Sequence, residues 1–92
     1  MTEQGVYSNS FAQAFSQLLE NAGVTCYQIS KYSSLDQAYL SRLKSGEKQN
    51  PRPETIIKIS LALTHYSDKI TTHDIQKLFK SVGRSITLND DY

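Results

Sequence analysis

The sequence predicts an all-α domain, a five-helix orthogonal bundle, on three observations. Apolar residues recur at the three- and four-residue spacing of helices that bury one face. Capping residues and glycines separate five such segments. The chain has 92 residues, 38% of them hydrophobic, which suffices for one small core. We therefore predict a flexible N-terminal arm over 1–9, a helical domain over 10–83 and a short C-terminal tail over 84–92.

The first helix is indicated by a cap, an apolar stripe and a stop. Ser10 offers an N-cap oxygen, with Gln13 at the capping-box position. Gly23 is suited to end the helix, because glycine adopts the left-handed conformation without strain. The apolar residues between these ends fall on one helical face: Phe11, Phe15, Leu18, Leu19 and Ala22.

Two short helices joined by a tight polar turn follow, over residues 25–46. Thr25 begins the second helix, with Gln28 at its capping-box position. Ser34 lies where the chain must turn sharply and where glycine would be the easier choice. Asp36 caps the third helix, predicted over 36–45, and Gly46 ends it. Two short helices with such a turn are typical of a helix-turn-helix.

Two more helices complete the predicted domain. Pro53 suits the first turn of the fourth helix, and residues 56–63 are apolar almost all round, which predicts a central helix. Thr71 or Thr72 opens the fifth helix, and Gly83 closes it. Residues 85–88 could form a brief strand. One side of the fifth helix is apolar: Ile75, Leu78, Phe79 and Val82.

The charge is nearly balanced overall but unevenly distributed. The net charge is +1, while residues 31–58 carry six cations and three carboxylates, a net charge of +3. The positive excess thus coincides with the candidate helix-turn-helix, which favours a polyanionic partner. A mixed, solvated surface is the alternative interpretation of this modest excess.

The sequence gives little support for a disulfide, a metal site or a catalytic site. Cys26 is the only cysteine, which excludes an intrachain disulfide and a cysteine-based zinc site. Its place at a helix N-terminus could lower the pKa of the thiol, or it could simply be a small packing residue. No acidic residue lies at the helical spacing of metal ligands from both His65 and His73. We find no catalytic constellation, phosphate loop, membrane-spanning run or signal peptide, and expect a cytoplasmic protein that is not an enzyme, with no cofactor and no metal.

An ordered set of residues within 11–63 carries a resemblance to a known family. The set consists of Leu18-Leu19, Ala22-Gly23, Thr25, Ile29-Ser30, Leu35, Leu40-Ser41-Arg42-Leu43, Gly46, Pro51 and the apolar run 56–63. It resembles the lambda-repressor-like, or XRE-family, helix-turn-helix domain of phage repressors and bacterial regulators. Three departures are Cys26 in place of a glutamine that often meets a phosphate, Ser34 in place of the turn glycine, and Lys44 in place of a common glutamate.

The resemblance implies that the third helix enters the major groove of DNA. By position, the base-contacting residues would be Gln37, Ala38, Tyr39, Ser41 and Arg42. Side-chain chemistry agrees, since glutamine can pair with adenine and arginine with guanine. The phosphate-contacting residues would be Thr25, Tyr27, Ser45, Lys48, Gln49 and Arg52. Alternatively, Arg42 could only pair with Glu47, and Tyr39 could only pack against Leu43. Tyr27, Tyr32 and Tyr39 are expected near the DNA face, and Tyr66 in the core or an interface.

We therefore expect a sequence-specific transcriptional regulator, a repressor, that binds double-stranded DNA as a homodimer. The candidate dimer interface is the stripe of Ile75, Phe79 and Val82, although this stripe could instead only close the monomer core. Two other functions remain open. One is an antitoxin-type adaptor that binds DNA but mainly holds a partner protein. The other is a helix-turn-helix fold used purely for protein interaction.

Overall fold

A computed structural model describes residues 10–82, which form five α-helices and no strand. The predicted all-α, five-helix class is confirmed. The predicted arm over 1–9, the stop at Gly83, the strand over 85–88 and the tail over 84–92 lie outside the described residues. The helices are α1 (Ser10–Ala22), α2 (Cys26–Ser33), α3 (Gln37–Ser45), α4 (Pro53–Tyr66) and α5 (Thr72–Lys80).

One hydrophobic core joins all five helices. It forms because each helix contributes an apolar face: α1 packs against α3 and α5, α2 packs against α3 and α4, and α4 packs against α5. Burial of each large aliphatic side chain contributes about 1.5–3 kcal/mol of transfer free energy. The largest fully buried hydrophobic side chains are Phe15, Ile29, Leu40, Leu43, Ile56, Ile59, Leu63 and Leu78.

The link between α1 and α2 has the predicted capping geometry. Gly23 is left-handed, with a φ of 69°. The Val24 N–H donates to the Leu19 carbonyl at 3.0 Å, which closes α1 with a Schellman motif. Thr25 then forms a complete capping box with Gln28: the Thr25 Oγ1 accepts from the Gln28 N–H at 3.1 Å, and the Thr25 N–H donates to the Gln28 Oε1 at 3.0 Å. Both ends of this link are therefore determined locally.

The turn between α2 and α3 is held by serine side chains. Ser34 adopts a left-handed conformation with a φ of 68°, as predicted, at a cost of about 1–2 kcal/mol for a non-glycine residue. The Ser33 hydroxyl accepts from the Leu35 N–H at 3.1 Å, and the Ser30 hydroxyl donates to the Leu35 carbonyl at 2.6 Å. Leu35 itself is half-buried against the core. These bonds offset the strained residue and fix the direction in which α3 leaves the turn.

The second half of the domain agrees with prediction at the start of α5 and differs from it on α4. Thr71, one of the two predicted openings, is the N-cap of α5 and forms a capping box with Asp74. The predicted central position of α4 applies to only part of its surface, because the exposed fractions of Ile57 and Leu61 are 50% and 55%. Only α2 and α5 pack extensively on α4, so one side of this helix stays uncovered.

Candidate nucleic-acid interface

The orientation of α3 is determined by its two ends and two leucines. Asp36 is the N-cap, and its Oδ2 accepts from the Tyr39 N–H at 3.0 Å. Gly46 ends the helix in the left-handed conformation, with a φ of 91°. Leu40 and Leu43 are fully buried and anchor α3 between α1 and α2. The remaining faces of α3 therefore point away from the core.

The exposed surface of α3 consists of two adjacent stripes. Gln37, Ser41 and Lys44, at the i, i+4 and i+7 positions of a helix face, line an open groove of about 650 Å³. Ala38 and Arg42 form the neighbouring stripe, and both are exposed. The structure thus brings four predicted base-contacting residues, Gln37, Ala38, Ser41 and Arg42, onto one continuous surface.

The opposite wall of the groove comes from the start of α2 and the end of α1. Thr25 and Tyr27, both predicted phosphate contacts, line this wall and are exposed. The Thr25 hydroxyl is engaged in the capping box, whereas the Tyr27 ring is 55% exposed and has the Lys31 ammonium 5.8 Å from its centroid. The structure therefore places predicted phosphate contacts and predicted base contacts in the same groove.

The groove contains one cationic side chain that sequence reasoning did not count as a contact. Lys44 is the only lysine or arginine among the residues that line it, and Glu20 is the only carboxylate. The helical spacing of Lys44 from Gln37 and Ser41 was the signal that could have identified it. Lys44 thereby places a positive charge on the wall formed by α3.

Arg42 is available for an external ligand. Its side chain is exposed and makes no ion pair within residues 10–82, so the alternative pairing with Glu47 is not formed there. Its backbone carbonyl instead holds the chain beyond α3, accepting from the N–H groups of Gly46 and Lys48, each at 3.1 Å. Replacement of the side chain should therefore leave this backbone arrangement intact.

The loop after α3 is braced by two predicted phosphate contacts. The Ser45 hydroxyl donates to the Arg42 carbonyl at 3.1 Å and accepts from the Glu47 N–H at 3.3 Å. The Gln49 side-chain amide donates to the Gly46 carbonyl at 3.2 Å. Both side chains are thus partly occupied in the loop, although both residues are exposed.

The same loop carries two exposed cations. Lys48 and Arg52 are exposed, and neither makes an ion pair with another residue of the described range 10–82. Arg52 is the N-cap residue of α4 but makes no side-chain capping hydrogen bond. Pro51 between them is fully buried and attaches the loop to the domain. The two cations are therefore free to meet phosphates beyond the C-terminal end of α3.

Two of the tyrosines that were expected near the DNA face make contacts within the domain, and for Tyr39 this favours the alternative of packing. Tyr39 is half-buried and packs against the core, which limits its reach toward a base edge. Tyr32 is not near the DNA face; its ring stacks on His65 of α4, with centroids 4.3 Å apart. The stacking of Tyr32 on His65 could not be inferred from sequence spacing, because these two residues are distant in the chain.

The Cys26 side chain is partly covered by the core. It is half-buried and packs against the core. Burial raises the pKa of the Cys26 thiol, and the nearby Lys44 ammonium lowers it only in part. The direction of this pKa shift and the observed packing both favour the interpretation of Cys26 as a small packing residue over that of a thiol with a lowered pKa.

The candidate dimer stripe on α5 is largely used within the monomer. Phe79 is only 6% exposed, and Ile75 and Val82 are half-buried against the core. This packing favours the alternative in which the stripe closes the core. A role of these three residues in the contact between two copies of the chain stays a prediction.

Two further observations concern membrane-spanning helices and metal-binding groups. No helix within residues 10–82 has the length and apolar character needed to cross a bilayer. The same part of the chain holds no group of three or more His, Cys, Asp or Glu side chains arranged for a metal ion.

Comparison with models of known families identifies a helix-turn-helix domain in the chain. A family model described as helix-turn-helix matches residues 16–64, which is more than half of the chain and spans α2, the turn and α3. No curated protein and no solved structure shows significant similarity to the chain. On the family match and the observed geometry, the chain belongs to the lambda-repressor-like, or XRE, family of helix-turn-helix domains, a family of DNA-binding regulators.

Proposed function

We propose that this protein is a sequence-specific transcriptional regulator that inserts α3 into the major groove of an operator and represses by occupying it. The observation that carries the proposal is the exposed polar surface of α3, held rigidly beside a groove that also contains Thr25 and Tyr27. A regulator of this kind would act in the cytoplasm of a bacterium, or of a bacterium infected by a phage.

The dimensions of α3 fit this role. An α-helix with its side chains is about 10–12 Å wide, and the major groove of B-DNA is about 12 Å wide. The nine residues of α3 span about 13 Å, enough to follow a few base pairs. A short helix supported at both ends can therefore present its first two turns to base edges.

The exposed side chains can read bases. Gln37 can pair with the N6 and N7 of adenine, and Arg42 can donate two hydrogen bonds to the O6 and N7 of guanine. Ala38 can contact the methyl group of thymine, and Ser41 can donate to or accept from a base edge. These four residues are our proposed base contacts.

Flanking groups would hold the helix in register. Thr25, Tyr27 and Lys44 lie at the groove beside α3, and Lys48 and Arg52 lie in the loop beyond its end. Contacts of these kinds to phosphates fix orientation without reading sequence. The phosphate contacts at the groove and those in the loop would together hold α3 from both sides.

The protein would act as a homodimer on a two-fold-related operator. A single module of this kind buries only about 600–1,000 Å² on DNA, which limits its affinity. Two copies would place their α3 helices in successive major grooves about 34 Å apart. The half-sites would accordingly be inverted repeats separated by about one helical turn.

Selection from a random pool of DNA duplexes, at fixed salt with the full chain, tests the proposal. We expect enrichment of a palindromic motif with half-site centres about 10 base pairs apart. The variant Arg42→Ala should lose preference at one position of each half-site, whereas Gln17→Ala, at an exposed position of α1, should select the wild-type motif. Absence of any enriched motif would refute sequence-specific regulation.

A further inference from the structure

Ser16 makes a hydrogen bond that differs from those of the other helical serines. Its hydroxyl donates to the Lys44 carbonyl at 3.2 Å, which joins α1 to the last turn of α3. Within residues 10–82, this is the one hydrogen bond that connects two helices. Other serine hydroxyls donate to a carbonyl of their own helix or of the turn beside it, as is usual for serine in a helix: Ser30, Ser33, Ser45 and Ser60.

The Lys44 carbonyl needs a partner from outside α3. The last four carbonyls of an α-helix find no partner within the helix itself. The Arg42 carbonyl is satisfied by the loop, since it accepts from the N–H groups of Gly46 and Lys48. The Lys44 carbonyl is satisfied instead by Ser16 of α1. The C-terminal end of α3 is therefore held partly by the loop that follows it and partly by α1.

Two open spaces border the bond between Ser16 and Lys44. Both residues line the groove of about 650 Å³ beside α3, and both also line a shallow recess of about 270 Å³. The recess is completed by Ala12, Gln13 and Ser45. Side-chain packing between α1 and the last turn of α3 is thus interrupted next to the bond. The hydrogen bond consequently matters more for the orientation of this turn than it would within a continuous core.

The first turn of α3 has supports of its own. Asp36 caps it by accepting from the Tyr39 N–H at 3.0 Å, and the Leu40 side chain is fully buried. Loss of the bond from α1 should therefore shift the last turn, which contains Arg42, more than the first turn, which contains Gln37. The two proposed base contacts should respond differently to such a loss.

We propose that Ser16 is a positioning residue for DNA recognition: its hydrogen bond sets the orientation of the last turn of α3 and thereby the alignment of Arg42 with a base. This inference rests on the proposed function. A bidentate arginine contact needs two N–H groups aligned with the O6 and N7 of guanine, so a small rotation of the turn weakens it. A phosphate contact from a flexible lysine tolerates the same rotation. Ser16 therefore supports base selection without adding charge.

Amide hydrogen exchange in the free protein tests the structural part of the proposal. In Ser16→Ala, the Gly46 and Lys48 amides should exchange roughly 2- to 13-fold faster, the range that a net hydrogen-bond contribution allows. Both amides donate to the Arg42 carbonyl in the last turn. The Leu40 amide in the first turn should keep its wild-type rate. Unchanged exchange in the last turn, or equal acceleration of all three amides, would overturn the proposal.

Two variants serve as matched controls. Gln17→Ala removes a polar side chain at the next, exposed position of α1 and should leave all three rates unchanged. Ser16→Thr keeps the hydroxyl, and the open spaces beside Ser16 have room for its extra methyl group, so wild-type exchange should return. Exchange in Ser16→Thr as fast as in Ser16→Ala would contradict the role of the hydroxyl. Alanine favours the helix more than serine does, so Ser16→Ala should fold.

Titrations with duplexes test the part that concerns DNA. Arg42→Ala and Gln37→Ala first identify the base position that each residue reads. In Ser16→Ala, the preference for guanine at the Arg42 position should fall roughly 2- to 13-fold. The preference at the Gln37 position should not change, nor should the affinity for unrelated DNA, because the charge of the protein is the same. Wild-type selectivity, or an equal loss on every duplex, would overturn the proposal; the latter would show that Ser16 itself meets the DNA backbone.

These outcomes separate the proposal for Ser16 from the proposed function. A wild-type chain that selects no DNA motif would refute the function, and hydrogen exchange would still decide whether Ser16 holds the last turn of α3. A wild-type chain that selects a motif which Ser16→Ala reads equally well would refute only the role of Ser16.

Discussion

Removal of the Arg42 side chain should reduce the sequence specificity of DNA binding without reducing the free energy of unfolding. Arg42 is exposed and makes no ion pair within the described domain, so Arg42→Ala should change the free energy of unfolding by less than about 0.5 kcal/mol. Loss of a bidentate contact to guanine should cost about 1–3 kcal/mol, roughly a 5- to 160-fold loss of affinity per half-site. A dimer with both contacts removed should lose about twice that free energy, roughly 2–6 kcal/mol.

Fluorescence anisotropy titrations at one salt concentration can measure this effect. The duplexes should carry each of the four bases at the affected position, because only a base contact changes the ranking among them. Arg42→Lys is the matched control, since it keeps the charge but lacks the planar fork that contacts guanine. An equal loss on all four duplexes, together with full recovery in Arg42→Lys, would show that Arg42 meets only phosphate and would refute the assignment.

Three further predictions concern the loop, the cap and the core. Lys48→Ala should weaken binding about equally on every sequence and reduce the slope of log K against log salt by about one, and an unchanged slope would exclude a phosphate contact. Asp36→Ala removes the acceptor of the Tyr39 N–H and should lower the free energy of unfolding by about 0.5–2 kcal/mol in urea titrations; superimposable curves would contradict the cap. Leu40→Ala should cost about 2–5 kcal/mol in the same assay, because Leu40 is fully buried, and a loss below about 1 kcal/mol would show that Leu40 contributes little to anchoring α3.

The helix boundaries followed from the sequence because caps and turns are local. The capping box of Thr25 needs only a residue three positions away, and Gly23 and Gly46 end helices through their own backbone conformation. The left-handed conformation of Ser34 agrees with the sharp turn that was predicted there, where glycine would be the easier choice. The polar face of α3 was equally predictable, because Leu40 and Leu43 define its buried side.

The candidate site was predictable in its chemistry but not in its arrangement. Gln37 and Arg42 follow from position within the family motif, but the groove that Gln37 and Tyr27 both line requires α1, α2 and α3 to be packed together. The contribution of Lys44 to that groove was missed, although its helical spacing from Gln37 and Ser41 indicated it. The burial that raises the pKa of the Cys26 thiol likewise depends on neighbours distant in the chain.

The sequence by itself determined the five helices and the turn, since each depends on interactions within a few residues. It also determined the family, through an ordered pattern over residues 16–64. Only the tertiary structure decided which apolar side chains remain in water. Ile57 and Leu61 look in sequence like the buried residues around them, yet no helix of the described domain covers them. Whether a side chain is covered depends on the number and direction of the helices that pack around it. The pattern of hydrophobicity along the chain does not determine that arrangement.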